Sequence, residues 1–211
     1  MEQIDKKTLV KTARQHLENG FLQEALRIYQ DILAIDPEYS QALHDLGMIY
    51  FDAGNISEAI SLLKEATQRD DKRTDFHNNL GTVLKASGDL AAAEKAFRKA
   101  LTLDRNLVPA LVNIGSLLIE RGRIPAALKA LKRAIELAPE NSTALSSYAE
   151  ANKANGDIIE ALNSQLQAAK VDPLADFIWL NLANTHMDLE QWVESFEAVK
   201  KSLILSPNRC E

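Results

Sequence analysis

The stretch NNLGTVLKASGD, residues 78–89, carries two glycines seven positions apart in a segment whose other residues favour a helix. A glycine inside a helix costs roughly 0.5–1 kcal/mol relative to alanine, so two of them need a reason. All eight glycines of the chain fall into two series with a constant spacing of 34 residues. One series is Gly20, Gly54, Gly88, Gly122 and Gly156, and the other is Gly47, Gly81 and Gly115.

This spacing divides the chain into six consecutive repeats, numbered 1 to 6: 6–39, 40–73, 74–107, 108–141, 142–175 and 176–209. Apolar side chains at positions 4 and 7 of most repeats predict the buried stripe of a first helix. A small residue at position 8 lets a second helix approach closely. Glycine at position 15 ends the first helix, because it adopts a left-handed backbone without a Cβ clash. The sequence therefore predicts an all-α fold of twelve helices in antiparallel pairs, forming one array over 6–209.

Polar residues after position 15 predict where each second helix begins. Asn55 and Asp157 are each followed three residues later by a glutamate, a pattern that resembles a capping box. Asp89 is a further candidate for the N-cap position. Repeat 6 departs from the pattern, because Glu190 and Ala183 stand where glycine is favoured.

Two segments carry the family pattern best: ALHDLGMIYFDAGNISEAISLLKEA, residues 42–66, and ALVNIGSLLIERGRIPAALKALKRAIELAP, residues 110–139. On these residues the chain resembles the tetratricopeptide repeat family over residues 6–209. The resemblance implies a right-handed superhelical solenoid. It also implies that the first helices line a concave groove, which binds peptides or partner proteins.

The resemblance places positions 2, 5, 6, 9, 12 and 13 of each repeat on the groove. Position 6 reads Lys11, Asp45, Asn79, Asn113, Ser147 and Asn181. An asparagine amide both donates and accepts hydrogen bonds, so such a column can hold the backbone of an extended peptide. This column resembles the repeat region of the O-linked N-acetylglucosamine transferase. Met48 and Phe51 are further candidate contacts, and a plain solvated face is the alternative interpretation.

Charge along the predicted groove changes sign between repeats. Lys7, Lys11 and Arg14 make repeat 1 basic, whereas Asp45 and Asp75 make the next stretch acidic. Separated charges of this kind favour one orientation of a bipolar peptide. A solvated surface without a ligand explains them equally well.

Other classes of function find little support in the sequence. The net charge of −6 and the absence of a concentrated basic face argue against nucleic acid. No apolar run approaches the roughly 20 residues of a membrane span, and the N-terminus lacks a signal-peptide core, so we expect a cytoplasmic protein. The four histidines and Cys210 form no catalytic or metal-ligand motif. We therefore predict a non-enzyme without cofactor or metal.

The last repeat predicts an apolar end face made of Trp179, Trp192, Phe196, Val199 and Leu203, because no solvating helix follows it. Three functions stay open on these observations. The first is a non-catalytic scaffold that binds a peptide or protein in the groove. The second is the substrate-recognition region of a larger enzyme such as a glycosyltransferase, with a further C-terminal domain. The third is a scaffold that self-assembles into a homo-oligomer through the end face.

Overall fold

The computed structural model describes residues 5–206, and in this part of the chain it contains twelve α-helices and no strand. The helices are α1 Lys6–Glu18, α2 Leu22–Ile35, α3 Ser40–Asp52, α4 Ile56–Arg69, α5 Thr74–Ala86, α6 Leu90–Leu103, α7 Val108–Glu120, α8 Ile124–Leu137, α9 Ser142–Asn155, α10 Ile158–Val171, α11 Asp176–Asp188 and α12 Trp192–Leu205. Each repeat contributes one pair, so the predicted all-α repeat fold is confirmed.

The chain divides into two compact units, Met1–Arg105 and Asn106–Glu211. The first unit holds α1 to α6 and the second holds α7 to α12. Within each unit, the two helices of a repeat pack together, and the second helix also packs against the first helix of the next repeat. Each unit therefore buries its apolar side chains between successive repeats.

The core of each unit lies where the paired helices meet. In the first unit, Tyr29, Leu63 and Phe97 occupy the same repeat position on α2, α4 and α6, and all three are fully buried. Leu131 holds the matching place in the second unit. Burial of such side chains stabilises the fold by about 1.5–3 kcal/mol each. Alanines between them keep the helices close.

The two glycines of residues 78–89 have different tasks. Gly88 has a φ of +86° directly after α5, a left-handed conformation that reverses the chain toward α6. Gly81 lies inside α5, where an added Cβ atom would lie 2.6 Å from the Phe97 ring. Both predicted roles are confirmed. Glu190 holds the left-handed position of repeat 6 with a φ of 58°.

All three predicted N-cap residues hold the N-cap position of their helix, but only Asp89 makes the side-chain hydrogen bond of a cap. The Asp89 side chain accepts a hydrogen bond from the Ala92 backbone N–H at 3.0 Å, as predicted. Asn55 and Asp157 precede α4 and α10 but make no side-chain cap bond. The Asp157 carboxylate instead accepts a hydrogen bond from the Asn155 side-chain amide at 2.6 Å. The Asn155 amide therefore competes with the backbone N–H groups of α10 for this carboxylate.

Candidate functional site

The Asp45 carboxylate on α3 is the centre of a buried polar network in the first unit. Arg14 on α1 donates to both of its oxygens, from Nε at 2.8 Å and from Nη2 at 3.0 Å. Tyr29 on α2 donates its hydroxyl at 3.1 Å, and Gln41 donates its amide at 2.8 Å. His44 Nδ1 lies 2.9 Å from the same carboxylate. Five hydrogen bonds therefore converge on one carboxylate and join three helices.

His44 extends this network toward α5. Its Nε2 accepts from the Asn79 Nδ2 amide at 3.0 Å, and Asn79 Oδ1 accepts from Asn78 at 3.3 Å. An Nε2 that accepts leaves the proton on Nδ1, which donates to Asp45. The imidazole also stacks on the Phe76 ring with 4.3 Å between the centroids. The ring is thus fixed on both edges and on one face.

The network changes the acidity of its members. Burial alone raises the pKa of Asp45, but the hydrogen bonds from His44 and Arg14 and the charge of Arg14 outweigh it and lower the pKa to about 2. The hydrogen bond to Asp45 raises the pKa of the Arg14 guanidinium. Burial, with the nearby Asp45 charge, raises the pKa of the Tyr29 hydroxyl. Asp45 is therefore ionised at neutral pH.

A cleft of about 880 Å³ lies beside this network in the first unit. Its charged lining is mainly basic, and its polar lining includes Gln41, which belongs to the network. Arg73 donates to Gln41 Oε1 at 2.9 Å and pairs with Asp75 at 2.6 Å. The charged residues of the lining are Lys7, Lys11, Arg14, Glu18, Asp70 and Arg73.

Several side chains of the predicted column at position 6 make hydrogen bonds within their own unit. Lys11 is exposed and lines the cleft, whereas Asp45 and Asn79 belong to the network. In the second unit, Ser147 is buried and lies 3.4 Å from the Ser116 hydroxyl. Asn181 donates to Ser146 at 3.2 Å and lines a second cleft of about 280 Å³. Asn113 is half-buried on α7.

Ion pairs neutralise part of the expected separation of charge in the first unit, while Lys7 and Lys11 stay exposed. Arg14 and Asp45 lie 31 residues apart in sequence, on α1 and α3, but their side chains form a direct ion pair. Arg73 and Asp75 neutralise each other in the same way. The predicted apolar contacts Met48 and Phe51 are half-buried on α3, outside the cleft.

The predicted end face divides into two parts. Trp192, Phe196 and Leu203 are exposed, by 63%, 67% and 40%. Trp179 and Val199 are half-buried and pack against the core of the second unit. Trp179 also donates its indole N–H to the Pro173 carbonyl at 2.8 Å.

Sequence reasoning did not single out Gln41 and Arg73, which shape the cleft through the network. A possible signal is the sequence order: Gln41 lies one helical turn before Asp45, and Arg73 directly precedes α5. Their link across 32 residues is a property of the packed helices only. In residues 5–206 no group of three or more His, Cys, Asp or Glu side chains is placed to hold a metal ion. Within the same range, no helix has the length and hydropathy to cross a bilayer.

The paired helices and the polar cleft define an α-helical repeat protein. The sequence profile of the tetratricopeptide repeat family matches residues 16–80 and 84–151, more than half of the chain. The protein therefore belongs to the tetratricopeptide repeat family. This fold generally provides scaffolds for protein–protein interaction, and its members are typically non-catalytic. No curated protein sequence matches the chain significantly.

Solved structures share the fold at low sequence identity. YrrB, a TPR protein with an unusual peptide-binding site, aligns over 86% of this chain and 94% of its own, with 18% identity and a TM-score of 0.62. A tetratricopeptide repeat protein from Parabacteroides merdae ATCC 43184 aligns over 95% of this chain and 80% of its own, with 17% identity and a TM-score of 0.78. A chain of the APC/C hetero-tetramer Cut9-Hcn1 aligns over 97% of this chain and 40% of its own, with 15% identity and a TM-score of 0.86.

Proposed function

We propose that this chain is a non-catalytic scaffold that binds an extended segment of a partner protein in the cleft of the first unit. The observation that carries the proposal is the composition of the cleft, whose lining holds four basic and two acidic side chains. Of the four basic side chains, Lys7 and Lys11 form no ion pair within residues 5–206, and they favour a ligand segment that carries aspartate or glutamate.

Lys7 and Lys11 supply the charge for the ligand. Both lysines are exposed on α1, and within residues 5–206 Lys11 makes no hydrogen bond or ion pair. Arg14 and Arg73 are already paired with carboxylates and therefore add less net charge. The lysines are consequently the groups that gain most from an acidic partner.

The Asp45 network holds several side chains of the cleft lining in place. Three lining side chains, Arg14, Gln41 and Arg73, are joined to one another through Asp45 and Gln41 Oε1. Side chains that are fixed before binding lose less conformational entropy when the ligand arrives. Asp45 thus acts on the ligand by positioning its neighbours.

The test uses an array of extended peptides that differ in their number of acidic residues. We expect the Lys7→Glu/Lys11→Glu variant to bind the acidic peptides at least about tenfold more weakly, through a lower association rate. Lys64→Glu is the matched control, because Lys64 is exposed on α4 of the same unit outside the cleft. Equal binding by the cleft variant and the wild type, or no preference for acidic peptides, contradicts the proposal.

The asparagine column is a second proposed set of contacts. Because Asn79 and Asn181 already make hydrogen bonds inside their own units, a peptide must compete for these amides. A variant with Asn79, Asn113 and Asn181 all changed to alanine tests this contribution on the same array. Binding that is unchanged in this variant rules out the column and leaves the basic cleft as the site.

A further inference from the structure

Helix α12 exposes an apolar face that no other helix of the described residues 5–206 covers. In addition to Trp192, Phe196 and Leu203, the face includes Val193 and Ile204, exposed by 73% and 70%. Val193 and Ile204 were not predicted from the sequence. In α2, α4 and α6 the positions that match Ile204 carry alanine, glutamine and threonine, so the apolar character is specific to the last repeat.

Part of this face corresponds to a packing surface inside the second unit. Leu162 on α10 has the same repeat position as Phe196, and it packs against the core cluster of the second unit, which includes residues of α11. Ala169, which matches Leu203, is 5% exposed, whereas Leu203 is 40% exposed. The α12 face therefore has the chemistry of a surface that receives another helix.

A head-to-tail contact with a second copy of this chain is disfavoured by the polar surface of α1. Thr8 and Gln15 are exposed on α1, at positions where α5 carries the buried Phe76 and Val83. Threonine and glutamine side chains lose hydrogen bonds to water when they are buried against apolar groups. The surface of α1 is thus a poor match for the apolar face of α12, and an equal apolar face is the better partner.

The order of residues along α12 fits such a self-pairing. Trp192, Phe196 and Leu203 have spacings of four and seven residues, which places the three exposed side chains on one stripe of the helix. Glu197 and Lys200 lie on either side of the helix midpoint, both side chains are 58% exposed, and within α12 they form only a long ion pair at 4.0 Å. An antiparallel copy places Glu197 of each helix next to Lys200 of the other, and the aromatic end next to the aliphatic end.

We propose that two copies of this chain associate through α12, antiparallel and related by a two-fold axis near the middle of the helix. With roughly 100 Å² exposed on each of the five apolar side chains, two facing copies bury about 1,000 Å². This area is near the lower limit for a specific interface, so we expect a weak and reversible dimer. The two-fold contact is closed and does not grow into fibres.

Sedimentation equilibrium of the full 211-residue chain, from about 1 to about 100 µM, tests the proposal. We expect a monomer–dimer equilibrium, and a dissociation constant at least about thirtyfold higher for Phe196→Glu. Ile159→Glu is the matched control, because Ile159 is 63% exposed on α10 outside this face and its replacement leaves the dimer intact. Circular dichroism checks that both variants fold like the wild type.

A charge exchange tests the antiparallel arrangement. Lys200→Glu alone puts like charges together and weakens the dimer, whereas Glu197→Lys/Lys200→Glu restores it. A strict monomer at the highest concentration overturns the proposal. Association that survives Phe196→Glu, or that continues beyond the dimer, overturns it as well. A dimer that the double exchange fails to restore rejects the antiparallel arrangement.

Discussion

The two units have the same helix pairs, but they fill position 6 with different chemistry. In the first unit, Asp45 accepts five hydrogen bonds beside the cleft, and two of them come from its ion-pair partner Arg14. In the second unit, Ser147 and Asn181 make neutral hydrogen bonds to other serines. A repeat therefore fixes the backbone position of a side chain, and the neighbours decide whether this position carries charge.

The largest effect is expected for Asp45→Ala, which removes the acceptor from the buried Tyr29 hydroxyl and from Arg14. We expect the free energy of unfolding to fall by about 3 kcal/mol, because the buried Tyr29 hydroxyl and the buried His44 ring lose their acceptor. Urea unfolding followed by circular dichroism measures it. Ser147→Ala is the matched control at the same repeat position of the second unit, with an expected loss below about 1 kcal/mol. Equal losses in the two variants contradict the difference between the units.

The same carboxylate makes the first unit acid-sensitive. Because the pKa of Asp45 is about 2 in the folded chain and 3.8 in the unfolded reference, the folded chain binds its proton less readily. The resulting stability is present above about pH 4, and it is lost as the pH falls toward and below 2. Its size is about 2 to 3 kcal/mol. Urea unfolding at pH 6 and near pH 2.5 measures this contribution: the free energy of unfolding should fall more in the wild type than in Asp45→Asn. An equal fall in both proteins contradicts the prediction.

Gly81→Ala is expected to destabilise the first unit by about 2 kcal/mol. Its Cβ atom would lie 2.6 Å from the Phe97 ring, and this overpacking exceeds the gain of about 1 kcal/mol in helix propensity. Gly47→Ala is the milder control, because its Cβ atom would lie 3.0 Å from Leu63 Cγ. Thermal unfolding ranks the variants. A Gly81→Ala protein as stable as the wild type shows that α5 and α6 separate at little cost.

The smallest effect is expected in the second unit, for Glu190→Gly. Glu190 has a φ of 58°, in the left-handed region that the other five repeats fill with glycine. Relief of this strain, less the flexibility that glycine adds to the unfolded chain, raises the free energy of unfolding by about 1 kcal/mol or less. Gly156→Ala, one repeat earlier, serves as the reverse change and is expected to destabilise. Destabilisation by Glu190→Gly contradicts the strain.

Much of the fold could be predicted because the relevant interactions are local and repeated. The two glycine series indicate where each first helix ends and where two helices pack closely, and Gly88 and Gly81 have these roles in the structure. The N-caps were less predictable, since Asp157 has a local competitor in Asn155. One array over 6–209, the peptide contacts and a place in a larger enzyme stay predictions.

The candidate site could be predicted only in part. Lys11 lines the cleft, and its contact with a peptide stays a prediction. Asp45 is occupied by partners on α1 and α2 that the column at position 6 does not reveal. Residues 30 or so positions apart meet because neighbouring repeats stack, and their choice of partner depends on side-chain length and direction. The missed Val193 and Ile204 show the same limit for the surface of α12.

The sequence by itself determined the repeat length, the twelve helices and the places of close packing, because a glycine or a small residue acts mainly through its own backbone and its nearest helix. Only the tertiary structure decided that Arg14 and Asp45 neutralise each other beneath a cleft. It also decided which apolar side chains of α12 stay exposed. Ion pairs and burial depend on distances between repeats, and those distances exist only after the helices have packed.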